Sequence, residues 1–170
     1  MKQLLIYICM VMGTASCTSR SPQLENGDLL FQAGKTSAMS DAIRAATGSG
    51  RQLSYTHVGI FLSGNGADSV LEATSDGGVR MTTLQEFLEG SARIEGAPAV
   101  TVARLKDTAG LAASLQRARA HLGEPYDYSF RPDNGKMYCS ELVWESYRRP
   151  TGERMFAARP MNFRNEDGTL

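Results

Sequence analysis

From position 27 onward the chain alternates short apolar runs with turn-forming residues. Gly27-Asp28-Leu29-Leu30-Phe31 opens as a short apolar strand. Met39, Ile43 and Ala46 share one stripe, which predicts a helix over Ser40–Ala46 closed by Gly48. Tyr55–Leu62 and Ser69–Thr74 each read as a strand. Ser63-Gly64-Asn65-Gly66 lies between them, and Asn-Gly between two strands is a strong hairpin signal. Thr83-x-x-Glu86 forms a capping box for a short helix ending at Gly90. Ala99–Leu105 alternates weakly, as a further strand would. Leu111, Leu115, Ala118 and Leu122 recur at helical spacing up to Gly123, and Tyr138–Tyr147 starts a last helix. Short strands with segregated helices give an α+β layout, a small antiparallel sheet or barrel packed with helices.

The first residues follow a different pattern. Met1-Lys2-Gln3 is a short basic start, Leu4–Gly13 is apolar, and the small residues Thr14-Ala15-Ser16 precede Cys17. This is the layout of a secretory signal. The apolar run is well short of the ~20 residues that span a bilayer. The Thr-Ala-Ser-Cys ending resembles a bacterial lipobox. The expected organisation is a lipoprotein-type signal peptide over 1–16, a lipidated Cys17 with a tether over 17–25, and one catalytic domain over 26–170. The product would be an exported lipoprotein of the bacterial cell envelope, periplasmic or at the outer membrane, held to the membrane through Cys17.

Charge and cysteine content narrow the chemistry. Lys and Arg number 18 against 18 Asp and Glu, so the basic footprint that nucleic acid requires is missing. The cysteines are Cys9, Cys17 and Cys139. With Cys9 lost in the signal and Cys17 acylated, Cys139 is a lone thiol in an exported protein, either a buried bystander or a nucleophile. The 2 histidines and this thiol have no metal-ligand spacing, so no zinc site is expected.

The hairpin brings a second group into play. Side chains alternate along a strand, so Val58, Ile60 and Leu62 share one face and His57, Gly59 and Phe61 the other. A four-residue loop over 63–66 sets His57 opposite Glu72. A two-residue Asn65-Gly66 loop sets it opposite Thr74, with Glu72 diagonal. Either register leaves the imidazole and the carboxylate on one face, away from the core and within reach. A carboxylate there fixes the imidazole tautomer and stabilises its charged form, which suits a general base. Cys139 begins a helix, where the positive end of the dipole favours the thiolate and first-turn N–H groups can hold an oxyanion. Glu141 in that turn is accounted for by the dipole, and His121 reads as an exposed partner at a helix C-terminus.

Taken together, Gly27-Asp28-Leu29-Leu30-Phe31, Tyr55-Thr56-His57-Val58-Gly59-Ile60, Val70-Leu71-Glu72-Ala73, Pro125-Tyr126-Asp127 and Tyr138-Cys139-Ser140-Glu141-Leu142-Val143 resemble the YiiX-like permuted papain-fold enzymes. These are circularly permuted relatives of the NlpC-type cell-wall hydrolases. The resemblance implies a papain-like α+β domain and cofactor-free cleavage of amide bonds. It implies Cys139 as nucleophile, His57 as base and Glu72 as orienter, with thioester formation. Substrates would be cell-wall peptides, isopeptides or N-acyl amines. Ser140 is expected at the oxyanion site; Tyr55, on the His57 face, lines the substrate pocket or packs, and Tyr126 lines the pocket or serves a turn over Pro125-Tyr126-Asp127. Related chains usually continue beyond Pro160-Met161-Asn162-Phe163, so this one is expected to be shortened there. Two other readings stand beside this one. The first is lipid acyl transfer or thioester hydrolysis of the lecithin:retinol acyltransferase type. The second is an inactive binding module with a structural Cys139.

Overall fold

The structure is a computed structural model that describes residues 23–35, 41, 43, 54–64 and 66–159. The expected signal peptide, Cys17 and most of the helix over 40–46 lie outside the described residues. The strands are β1 (Leu29–Gln32), β2 (His57–Gly64), β3 (Ala67–Thr74), β4 (Gly78–Thr83), β5 (Arg93–Ile94), β6 (Ala97–Pro98) and β7 (Val100–Ala103). The helices are α1 (Leu84–Glu89), α2 (Leu111–Ala120) and α3 (Cys139–Ser146). Five strands form one antiparallel sheet in the order β4-β3-β2-β1-β7, and β5 pairs with β6 as a separate ribbon.

Gly64 pairs with Ala67 and Ile60 with Leu71, so the hairpin turns through residues 65–66 alone. Of the two registers, this is the one that sets His57 level with Thr74 and leaves Glu72 diagonal.

Both faces of the sheet are covered, which differs from the expectation of one non-core face. On one side Val58, Ile60, Leu71 and Ala73 pack with Leu115 and Ala118 of α2 and Leu142 and Val143 of α3. On the other side Leu30, Phe61 and Val70 pack with Phe87 of α1. Gly59 makes the second layer feasible. A Cβ there would sit 2.3 Å from Val70 Cγ1 and 3.0 Å from Phe87 Cε2. The face carrying His57 and Glu72 is thus roofed by Phe87, whose ring centroid is 5.8 Å from that of His57.

Helix starts follow local chemistry. Thr83 Oγ1 accepts from Glu86 N at 3.1 Å, and the Glu86 carboxylate accepts from Thr83 N at 3.0 Å, the reciprocal bonding of a capping box. At α3 the Glu141 carboxylate accepts from Tyr138 N at 3.4 Å. Dipole compensation alone therefore understates Glu141. It is buried, and burial raises its carboxyl to about 7 despite that N–H, with Asp127, Glu145 and Asp133 adding to the rise.

The front of the domain is tied down by a buried carboxylate. Asp28 accepts two bonds from the Arg104 guanidinium, each 2.7 Å, and Arg104 also donates to Gln23 O at 2.8 Å. Burial pushes the Asp28 carboxyl up, but the Arg104 bonds, the Glu25 N–H and the Arg104 charge outweigh it and leave it below the usual carboxylate range. Arg104→Met should destabilise the domain by about 1–3 kcal/mol in urea unfolding at pH 7. Breaking a buried pair costs roughly 3–5 kcal/mol, less here because the arginine is half exposed. The pair's contribution is present above the ordinary carboxylate pKa and is lost as pH falls through the depressed value of Asp28.

Candidate active site

Three elements converge at the open end of β2. The β2–β3 ladder runs from Gly64–Ala67 back to Ile60–Leu71, so Val58 lies beyond its paired stretch. The Val58 N–H faces the Cys139 sulfur instead, as does the N–H of Ser140. Cys139 is the first residue of α3, buried at the sheet surface, and the free cysteine among the described residues.

His57 is the first residue of β2 and links the other two groups. Its Nε2 lies 2.6 Å from Glu72 Oε2, and Cys139 is the other group that acts on its ring. Because Nε2 is taken by the carboxylate, Nδ1 is the nitrogen left for the sulfur. Burial works against charge on His57. The hydrogen bonds and charges of Cys139 and Glu72 prevail and bring it up to about 10. Burial likewise works against a Cys139 thiolate. The His57 hydrogen bond and charge, with the Val58 and Ser140 N–H groups, hold the thiol below its usual value. Both shifts favour a thiolate–imidazolium pair. Burial raises Glu72, but His57, Thr82 and Arg80 keep it below the usual carboxylate range.

Two cavities flank this chain of groups, and they differ in character. One, of about 640 Å³, is apolar, with Phe31, Val58, Phe130, Val143, Trp144 and Phe156 among its walls; Tyr138 and Ser140, the neighbours of Cys139, also line it. The other, of about 560 Å³, is the more polar of the two and includes His57, Glu72, Arg80, Thr82, Lys35 and Tyr126. Among the described residues no group of three or more His, Cys, Asp and Glu is placed to hold a metal ion.

Of the residues singled out from sequence, Cys139, His57, Glu72, Ser140 and Tyr126 come together. Tyr126 is held by its bridge to Met137, just before α3, while the Asp127 carboxylate shapes the following loop by accepting from Ser129 N and Arg131 N, each at 2.8 Å. Tyr55 does not join them. It lines neither cavity; its ring packs on Phe31 and its hydroxyl meets Thr101 Oγ1 at 2.6 Å. β2 begins at His57, so the two-residue periodicity does not extend back to Tyr55. His121 caps α2 and pairs with Glu124 at 3.0 Å, away from the site. Three groups escape sequence reading. The Val58 N–H is a backbone donor with no side-chain signature. Arg80 and Thr82 belong to β4, whose only trace is the alternation Val79-Arg80-Met81-Thr82 after Gly77-Gly78.

A thiol on a helix N-terminus against an imidazole on a sheet is the layout of papain-like cysteine hydrolases, here with the histidine strand ahead of the cysteine helix. The family described as permuted papain-like amidase enzyme, YaeF/YiiX, C92 family, matches residues 23–170, and the chain belongs to it. The family is one of papain-like amidases, and the chain spans less than two thirds of the relative it matches in sequence. The chain is 32% identical over 140 residues to the uncharacterized protein YiiX of Escherichia coli (strain K12), covering 78% of this chain and 62% of that protein. It also resembles the crystal structure of metalloprotein yiiX from Escherichia coli O157:H7, with a TM-score of 0.61 and 31% identity over 76% of this chain and 68% of that one.

Proposed function

We propose that the protein is a cysteine amidase that cleaves N-acyl amines through a Cys139–His57–Glu72 triad. The observation that carries this is the 2.6 Å bond of His57 to Glu72 with Cys139 acting on the same imidazole, beside an apolar and a more polar cavity. The acyl group lies in the apolar cavity beside Tyr138 and Ser140, and the leaving amine in the polar one beside His57. The Cys139 thiolate attacks the amide carbonyl carbon. The oxyanion that forms is within the field of the Ser140 and Val58 N–H groups. His57 gives its Nδ1 proton to the amine nitrogen as the C–N bond breaks, leaving a thioester. Water then attacks, His57 takes its proton, the acid departs, and the thiolate pair is restored. Glu72 holds the imidazole tautomer throughout. Residues 1–17 support an exported enzyme anchored through Cys17, with substrates at the membrane or in the cell wall.

The test is a series of N-acyl amides differing only in acyl length. Each methylene buried in the apolar cavity is worth ~0.8 kcal/mol, so kcat/KM should climb roughly fourfold per carbon until the cavity is full. A flat series would overturn the apolar acyl site. The apolar cavity also suits a lipid acyl group, and here the acyl-transfer reading differs. An acyl-enzyme trapped from an ester and never from an amide would replace amidase with acyltransferase or thioesterase. A thiol inert to all of these would leave a binding module.

A further inference from the structure

We propose that Thr82 is a positioning residue of this site: its hydroxyl fixes the free oxygen of Glu72, so that the carboxylate, and with it His57, stays aligned on Cys139. This rests on the reading of Cys139, His57 and Glu72 as the catalytic groups.

A carboxylate has two oxygens, and the imidazole occupies one. Oε2 meets His57 Nε2 at 2.6 Å. With that contact alone, the carboxylate can turn about its last bond and carry the imidazole with it. Oε1 accepts from Thr82 Oγ1, which locks that rotation. The sheet register makes the contact unavoidable. Glu72 pairs with Arg80 and Val70 with Thr82 across β3 and β4, so Thr82 stands diagonal to Glu72 on the same face. Thr82 Oγ1 also lies 3.4 Å from Val70 O, but one hydroxyl has one proton, and the carboxylate is the nearer and charged acceptor. Arg80 is a looser partner. Its Nε lies 3.7 Å from Glu72 Oε1 and, although buried, makes no hydrogen bond. Thr82 is therefore the group that supplies direction, and Arg80 supplies charge.

The other charged groups near Glu72 do not compete for this role. Glu86 of α1 is occupied at Thr83, and Asp76 lies 3.9 Å from Arg80. Lys35 and Tyr126 line the same cavity but make no hydrogen bond to the carboxylate.

The experiment uses the full chain and three variants, Thr82→Val, Thr82→Ser and His57→Ala, with thermal unfolding run in parallel. Each is followed by the pH profile of iodoacetamide labelling at Cys139 and of N-acyl amide hydrolysis. Thr82→Val should lower kcat on the order of tenfold with little change in KM, the scale of one charge-assisted hydrogen bond. It should also move the acid limb of labelling to higher pH, because a misaligned imidazole stabilises the thiolate less. Thr82→Ser should restore both. A merely structural role would lower melting temperature and leave the limbs where they are. Wild-type limbs and kcat in Thr82→Val overturn the proposal. If His57→Ala changes neither labelling nor hydrolysis, the triad itself fails; if it changes both while Thr82→Val changes neither, only the role of Thr82 fails. Should Thr82→Val not fold, Thr82→Ala removes the same hydroxyl with less bulk and is judged by the same limbs.

Discussion

Replacing Cys139 with alanine should abolish turnover of N-acyl amides, with kcat falling on the order of 10⁴- to 10⁶-fold while the protein still folds. The size of the effect follows from covalent catalysis. Without the sulfur no thioester forms, and the Ser140 and Val58 N–H groups have no tetrahedral intermediate to stabilise. Cys139 is buried at the start of α3, where alanine removes one sulfur and is a good helix former, so stability should change little. Burst kinetics and intact mass check the result. Wild type should show a mass increase equal to the acyl group during turnover, and the variant none. Full activity in Cys139→Ala would eliminate the cysteine mechanism for this chain.

The second large effect is expected from His57→Ala. An ordinary thiol with a pKa of ~8.5 is under ~1% ionised at pH 6, whereas a thiolate held by an imidazolium is already formed. Labelling of Cys139 at pH 6 should therefore slow by roughly 100-fold in His57→Ala, and hydrolysis should fall further because the proton donor for the amine is also gone. The sign of the pH dependence follows from the two shifts. The Cys139 thiol is held below its usual value and the His57 imidazolium up to about 10, so the reactive pair occupies the window between them. The acid limb of activity belongs to the thiol and the alkaline limb to the imidazole. The double variant lacking both groups should be no worse than Cys139→Ala alone, since the two act as a unit. An unchanged labelling profile in His57→Ala would detach the histidine from the thiol.

Much of this site was legible from residue types and short-range spacing. A helix-start thiol, a histidine and a glutamate on facing strands, and an Asn-Gly turn can each be read because their physics is local. A thiol at a helix N-terminus is activated by the helix itself, and strand alternation puts His57 and Glu72 on one side in either register. The capping box at Thr83 and the stop at Gly90 are likewise properties of a few adjacent residues. Long-range partners were another matter. The strand Gly78–Thr83 is short and half exposed, so its alternation is faint, and with it Thr82 and Arg80 went unread. Tyr55 illustrates the converse. Periodicity assigns it to the face of His57, but β1 and β7 claim its ring and hydroxyl.

By itself, the sequence determined the family, the α+β class and the candidate thiol, imidazole and carboxylate, because these depend on which residues exist and on patterns a few positions long. Tertiary structure decided how they meet. It selected the two-residue turn over the four-residue one, roofed the His57 face with Phe87, and kept Val58 paired with β1 but beyond the β2–β3 pairing, where its N–H acts on Cys139. It also set an apolar cavity beside Tyr138 and Ser140 and a more polar one beside His57 and Glu72. The reason is physical. Pairing across a sheet and burial under a helix depend on residues dozens of positions apart, and no local period records which of them will share a wall.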